Sequence, residues 1–225
     1  MYLNILVLLE IPLILIKVNF INSLFYQIPM AKEEEQLLVP LDDYLKAGIH
    51  IGTKAKTKYM EPFIYKARPD GLLVLNVQQV NDRLRLLANL LSQYNSNEVI
   101  LVCRRENGWH ATEVFSKITG IRVFNGRYPP GMLTNMNLDI FVEAKLVFAV
   151  DSWIDKNAVK DASKIGIPVV SLCDTNNDSL NVDLVVPCNN KGKKSLGLIF
   201  YILAREYLKS QKKNFDAKLE DFVEE

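Results

Sequence analysis

The chain is short of the residues that metal centres and most catalytic sites depend on. Its two histidines, His50 and His110, stand far apart, and its three cysteines, Cys103, Cys173 and Cys188, form no CxxC pair. Metal coordination needs clustered ligands, so no metal site is expected. An odd number of widely spaced cysteines, each in or beside an apolar run, points to buried reduced thiols and a reducing compartment. The glycine patterns that cradle phosphates are missing as well. The first strand is followed by Leu75-Asn76-Val77-Gln78-Gln79 rather than G-x-G-x-x-G. Near Gly192-Lys193-Lys194 a phosphate loop would need a hydroxyl residue at Lys194 and glycine at Pro187. There is no G-x-S-x-G elbow, and neither histidine lies near a nucleophile in sequence. No catalytic residues and no cofactor are expected.

A long apolar run is also lacking. The first 29 residues carry only Glu10 and Lys17, but Glu10 and Pro12 interrupt the hydrophobic stretch and Lys17, Asn19 and Asn22 follow. A spanning helix needs about 20 apolar residues. A secretory signal needs a basic start and a small-residue exit, and neither is present. No membrane partner is expected. Met30-Ala31-Lys32-Glu33-Glu34-Glu35 reads like a cytosolic amino terminus, so translation is expected to start at Met30, with 1–29 a non-native or disordered extension. Residues 30–225 then form a single domain, packed from about Leu37 to Gln211 and ending in an acidic tail from Asn214 expected to be loosely held.

What is present is an alternation of short apolar runs with helical stripes. Strand candidates are Leu72–Leu75, Val99–Val102, Ile121–Phe124, Leu146–Val150, Pro168–Leu172 and Leu184–Val186. Their near-continuous hydrophobicity suits strands covered on both faces. Val77 to Leu91, with Asn76 as N-cap, forms one helical stripe. Ala111 to Ile118, stopped by Gly120, forms a second, and Ile154 to Ile165, stopped by Gly166, a third with Ser152 and Asp155 as a capping pair. The last runs from about Ser195 to Leu208, and Leu41–Ala47 makes a short helix ended by Gly48. The pattern specifies an α/β fold, a mostly parallel sheet with helices on both faces in a flavodoxin- or Rossmann-like three-layer sandwich.

Net charge is only +1, so any preference for a polyanion must lie in the distribution. Between Ala47 and Asp70, Lys54, Lys56, Lys58, Lys66 and Arg68 face only Glu61 and Asp70. Between Lys191 and Lys213, seven cations, Lys191, Lys193 and Lys194 among them, face only Glu206. Arg104-Arg105 directly follows a strand, and Arg127 lies in a proline-glycine loop. Most charged residues simply lie on the surface, so a single lysine means little. Clustering in loops and strand-to-helix turns is what favours phosphate contact. Tyr59, Phe63 and Tyr65 lie among the lysines and would stack on single-stranded bases if exposed, but packing under the sheet is the favoured reading, as local packing is over a loop contact for Trp109. His50, between Ile49 and Ile51, reads as a structural histidine.

Five motifs, in order, carry a resemblance. Leu45-Lys46-Ala47-Gly48-Ile49-His50-Ile51-Gly52-Thr53 is the first, and Tyr59-Met60-Glu61-Pro62-Phe63-Ile64-Tyr65 with Asp70-Gly71-Leu72 the second. Gly126-Arg127-Tyr128-Pro129-Pro130-Gly131-Met132-Leu133-Thr134-Asn135 and Ile167-Pro168-Val169-Val170-Ser171-Leu172-Cys173-Asp174-Thr175 follow. Val185-Val186-Pro187-Cys188-Asn189-Asn190-Lys191-Gly192, with Ser195-Leu196-Gly197-Leu198 and Leu203-Ala204-Arg205-Glu206, completes the set. Across Leu37–Lys209 the chain resembles the small-subunit ribosomal protein S2 family in its archaeal and eukaryotic form. It departs at Asp151-Ser152-Trp153, where the family usually has Asp-Pro-Arg, and at Asp161-Ala162-Ser163, where the family usually has Glu-Ala-Ser. The coiled-coil insertion of bacterial members has no counterpart here, and neither does the long carboxyl extension of eukaryotic ones.

The resemblance implies a non-enzymatic constituent of the ribosome's small subunit in the cytoplasm, supporting assembly and translation. Its partners would be small-subunit ribosomal RNA and neighbouring ribosomal proteins, with no DNA. The residues expected at RNA phosphates are Lys54, Lys56, Lys58, Arg68, Arg104, Arg105, Arg127, Lys191, Lys193 and Lys194.

Overall fold

The structure, a computed structural model, describes residues 37–223. The expected start at Met30 and the extension before it lie outside the described residues. Helix α1 (Leu41–Ala47) leads into an antiparallel hairpin of β1 (Ile64–Ala67) and β2 (Leu73–Leu75). Helix α2 (Val77–Ser92) follows, then β3 (Val99–Cys103), α3 (Glu106–Thr119) and β4 (Arg122–Asn125). A long irregular connection reaches β5 (Leu146–Ala149), and α4 (Lys156–Ile165), β6 (Val169–Cys173), β7 (Leu184–Pro187) and α5 (Lys193–Ser210) complete the order. The main sheet runs β4-β3-β5-β6-β7, with every neighbouring pair parallel.

Alternating strand residues feed two cores. Leu101, Phe148, Leu172 and Val186 meet α2, α3 and α5, while Ile100, Val102, Val147 and Val169 meet α4 and the segment around Tyr128, Met132 and Leu133. Three helices therefore cover one face, and one helix with loops covers the other. Phe200 of α5 sits between Phe115 and Phe148, with ring centroids 5.4 and 6.0 Å away. Such fully buried rings are worth about 3–5 kcal/mol each against truncation.

The expected three-layer α/β fold is present, with differences of detail. Leu72–Leu75 was assigned to the parallel sheet on its apolar content, but β2 pairs with β1 instead. The turn explains it: Arg68 N–H donates to Leu72 O at 2.7 Å and Gly71 takes a positive φ of 84°, folding the chain straight back. Asn76 caps α2 as expected, its side chain accepting from Gln78 N–H at 3.0 Å. Helix α4 does not start at Ser152; the 152–155 stretch is a turn, and Ser152 instead donates to Asp178 O at 2.7 Å. Helix α5 begins at Lys193 rather than Ser195, whose hydroxyl donates back to Asn189 O at 2.6 Å.

The acidic tail is also not loose. Phe222 is 1% exposed, packed edge-on to Tyr201 at 5.9 Å, and the main chain there lies against Gly197 of α5. Two aromatic side chains, Phe215 and Phe222, hold the acidic stretch to the core, which charge counting alone does not register.

Candidate nucleic-acid interface

In a doubly wound sheet, ligands bind beyond the carboxyl ends of strands whose crossovers leave to opposite faces. Here β3 leads to α3 on one face and its neighbour β5 leads to α4 on the other, so the crevice lies between Arg104-Arg105 and Val150-Asp151. It is closed from within. Arg105 Nε donates to Asp151 Oδ2 at 2.8 Å and its Nη2 reaches the same oxygen. Asp151 Oδ1 accepts the amides of Trp153 (2.9 Å) and Ile154 (3.3 Å) and the side chain of Asn177 (2.7 Å). Those amides, free in a phosphate-binding turn, are already satisfied by an internal carboxylate.

The polar network extends along the same edge. Asn190, fully buried, donates to Leu172 O at 3.1 Å and Asn177 Oδ1 at 3.3 Å, and Asn177 Oδ1 also accepts from Asp174 N–H. Lys191 Nζ lies 2.8 Å from the buried Asp174 carboxylate and 2.9 Å from Asn176 Oδ1. Beside this network, burial and the Asp151 charge raise Asp155 to about 7; the Arg104 charge and nearby main chain offset only part of that. Burial also pushes the Cys103 and Cys173 thiols up to about 12 and Cys188 well above its ordinary value. All three are free and buried as expected, and they remain protonated and unreactive.

Around this sealed centre the fold gathers cationic loops. Thr57 N–H donates to Thr175 O at 3.0 Å and Thr57 Oγ1 to Asn177 O at 2.8 Å, which fixes the loop bearing Lys54, Lys56 and Lys58 against the connection that leaves the carboxyl end of β6. Gly52 permits the approach: a Cβ there would lie 2.4 Å from Thr175 Cγ2 and 3.1 Å from Leu73 O. The β1–β2 turn bearing Arg68 abuts Lys54, 3.8 Å from where a Cβ on Gly71 would stand. Arg104, Arg105 and Arg127 follow β3 and β4, and Lys191, Lys193 and Lys194 follow β7. Loops far apart in sequence thus share the carboxyl edge of the sheet.

Their states differ. Arg105 and Lys191 serve buried carboxylates, with side chains 21% and 34% exposed. Lys56 pairs with Glu61 at 2.6 Å and Arg68 with Asp70 at 3.7 Å, both in solvent, where such pairs are worth little. Lys54, Lys58, Arg104, Arg127 and Lys194 are exposed and make no ion pair among the described residues. Lys193 is exposed at the start of α5.

Two aromatics outside the expected RNA-contact set stand on this rim. Tyr59 and Trp153 are 59% and 62% exposed. Tyr59 and Tyr65 were expected under the sheet, yet only Phe63 of that trio is buried, with the Arg83 guanidinium over its ring at 5.4 Å. The kink between Ile64 and Lys66 in the pairing register breaks the alternation that would have turned Tyr65 inward. Trp109 does pack locally, its indole N–H donating to Cys103 O at 3.2 Å. His50 is partly buried, with Nδ1 unpartnered among the described residues, and burial lowers its pKa.

A family model described as Ribosomal protein S2 matches residues 44–140 and 139–210. The small ribosomal subunit protein uS2 of Nanoarchaeum equitans is 47% identical over 174 residues, 77% of this chain and 87% of that protein. The protein of the same name from Thermofilum pendens is 47% identical over 176 residues, covering 78% and 82% of the two chains. That from Pyrobaculum calidifontis is 44% identical over 185 residues, covering 81% and 89%. A sealed nucleotide crevice, a cation-rimmed sheet edge and these likenesses agree, and the chain belongs to the ribosomal protein S2 family.

Proposed function

We propose that this chain is a structural constituent of the small ribosomal subunit that holds ribosomal RNA by phosphate contacts along the carboxyl edge of its sheet and does no catalysis. The observation that carries the reading is the convergence of five separate cationic loops and turns on one edge whose centre is filled by the protein's own ion pairs. Lys54, Lys58, Arg104, Arg127 and Lys194 make the primary contacts, with Lys56, Arg68 and Lys193 beside them. Arg105 and Lys191 hold the edge in shape and offer their remaining donors. Such contacts position a protein on RNA without reading sequence, and the folded outline of the RNA supplies specificity. Neighbouring ribosomal proteins are the second class of partner, and the particle is cytoplasmic. Neither DNA nor a membrane has a part in this reading.

The test is co-sedimentation. A full-length Lys54→Glu, Lys58→Glu, Lys194→Glu variant with an unchanged melting temperature is expected to leave the small subunit, first at raised salt. Retention of the folded triple variant at every salt concentration would remove this edge from RNA contact.

A further inference from the structure

Outside the sealed crevice, the described residues form a cleft of about 590 Å³ on the outer face of the β1–β2 hairpin. Its lining includes the aliphatic side chains of Leu45 of α1, Val74 of β2 and Val77 of α2, with Pro69 and His50 beside them. The Tyr65 ring, 68% exposed, and the cations Lys66 and Arg68 also line it. No acidic side chain lines it.

We infer that this cleft takes an unstacked nucleotide of the bound RNA, its base against Tyr65 and its phosphates on Lys66 and Arg68. The inference rests on the RNA-binding reading above and extends it to a defined pocket. Three features favour a nucleotide over an apolar peptide anchor. A soluble domain gains nothing from leaving a large ring in water, whereas a base needs just such an open π-face. The Lys66 ammonium lies 5.7 Å from the Tyr65 ring centroid, so cation and ring are presented together, as a phosphate and its own base require. The cleft is also continuous with the cationic edge: Arg68 leads into the hairpin turn, and that turn touches Lys54. The acidic side chains paired with cations on this side of the edge are Asp70, 3.7 Å from Arg68 Nε, and Glu61, 2.6 Å from Lys56 Nζ, and neither lines the cleft. Single-stranded bases splayed from loops and bulges are what proteins read on RNA, since the deep groove of an RNA helix is closed to side chains.

The experiment uses ultraviolet cross-linking of native small subunits followed by mass spectrometry. Tyr59 and Tyr65 fall in one tryptic peptide, so fragmentation must place the adduct. A nucleotide on Tyr65 or Lys66 is expected. Alongside it, the full-length Tyr65→Ala chain should rebind small subunits stripped of this protein about 5- to 150-fold more weakly, the range for loss of one stacked base. Its salt slope should be unchanged, because no charge is lost. Tyr65→Phe should bind as the parent does, since the ring is kept. Tyr65 is exposed, so these variants leave the core intact. Adducts on Lys54, Tyr59 or Lys194 with none at Tyr65, and full binding by Tyr65→Ala, would overturn the cleft while leaving the edge in place. A protein segment cross-linked at Tyr65 would also overturn it. Absence of RNA adducts anywhere on the chain would instead sink the RNA-binding reading itself.

Discussion

The Arg105 guanidinium and the Asp151 carboxylate close the crevice between β3 and β5, with Nε 2.8 Å from Oδ2. Asp151 is 1% exposed, so removing its partner leaves a buried charge that only three hydrogen bonds still support. Breaking a buried pair from one side costs about 3–5 kcal/mol. Arg105 keeps some contact with water, so Arg105→Ala should fall below that range, at about 2–3 kcal/mol by denaturant unfolding. Adding Asp151→Asn to Arg105→Ala should recover part of that loss. A single variant as stable as the parent would show the pair to be ornamental.

The same closure predicts no nucleotide binding. A ligand that binds only the folded state at 100 times its Kd raises stability by about 2.7 kcal/mol. ATP, GTP or NAD at millimolar concentration should therefore leave the melting temperature of the parent chain unchanged. A rise with any one of them would reopen the crevice as a site.

Lys191 and Lys194 should part company on substitution, although they sit three residues apart in a turn that reads as one basic cluster. Lys191 neutralises Asp174, which is 1% exposed, so Lys191→Ala should cost roughly 1–3 kcal/mol of fold stability. Lys194 is exposed and makes no ion pair among the described residues, so Lys194→Ala should leave stability within about 0.5 kcal/mol. It should lower the salt slope of RNA binding by about one. Unfolding curves for both variants, with binding measured at several salt concentrations, separate the two roles.

That contrast marks how far the sequence could be read. Strand and helix order were legible because apolar runs such as Val99–Cys103 and the Val80–Leu91 stripe have only one way to be buried. The gathering of cations on one edge was legible because strand-to-helix turns fall at that edge by topology. Which cations were already spoken for was not. Asp151 and Asp174 lie 46 and 17 residues from Arg105 and Lys191, and nothing local links them. The exposed ring of Tyr65 was misread for a related reason: the alternation rule assumes an unbroken ladder, and this one slips beside Ile64, while Tyr59 lies in a turn ahead of the strand where no ladder exists.

Asp155 gives the free protein a pH dependence of definite sign. Its carboxyl moves from an ordinary value of 3.8 to about 7 in the folded chain, chiefly by burial. The folded state thus holds this proton more tightly than the unfolded state does. The contribution is full below pH 4, is lost as pH rises towards 7, and is flat above. Asp155→Asn keeps the shape and removes the charge. Its stability advantage over the parent should grow from pH 5 to pH 8, reaching on the order of 3–4 kcal/mol at most. An advantage that stays constant with pH would mean that Asp155 is not the titrating group.

The tail should be releasable without damage to the sheet. Phe222 is buried against Tyr201, and His110 Nε2 lies 2.9 Å from Asp221 O, so the segment is latched to both α5 and α3. At Gly197 a Cβ would lie 2.7 Å from Val223 Cγ2 and 2.8 Å from Phe222 O. The main-chain oxygen cannot swing aside as a side chain can, so Gly197→Ala should push the segment off α5. Limited proteolysis should then cut the variant between Lys212 and Lys218 well before the parent, while the rest of the chain resists. Phe222→Ala should do the same by a different route, removing the anchor at about 3–5 kcal/mol rather than crowding its seat. Equal cleavage of both variants and the parent would mean that the latch is too weak to protect the tail.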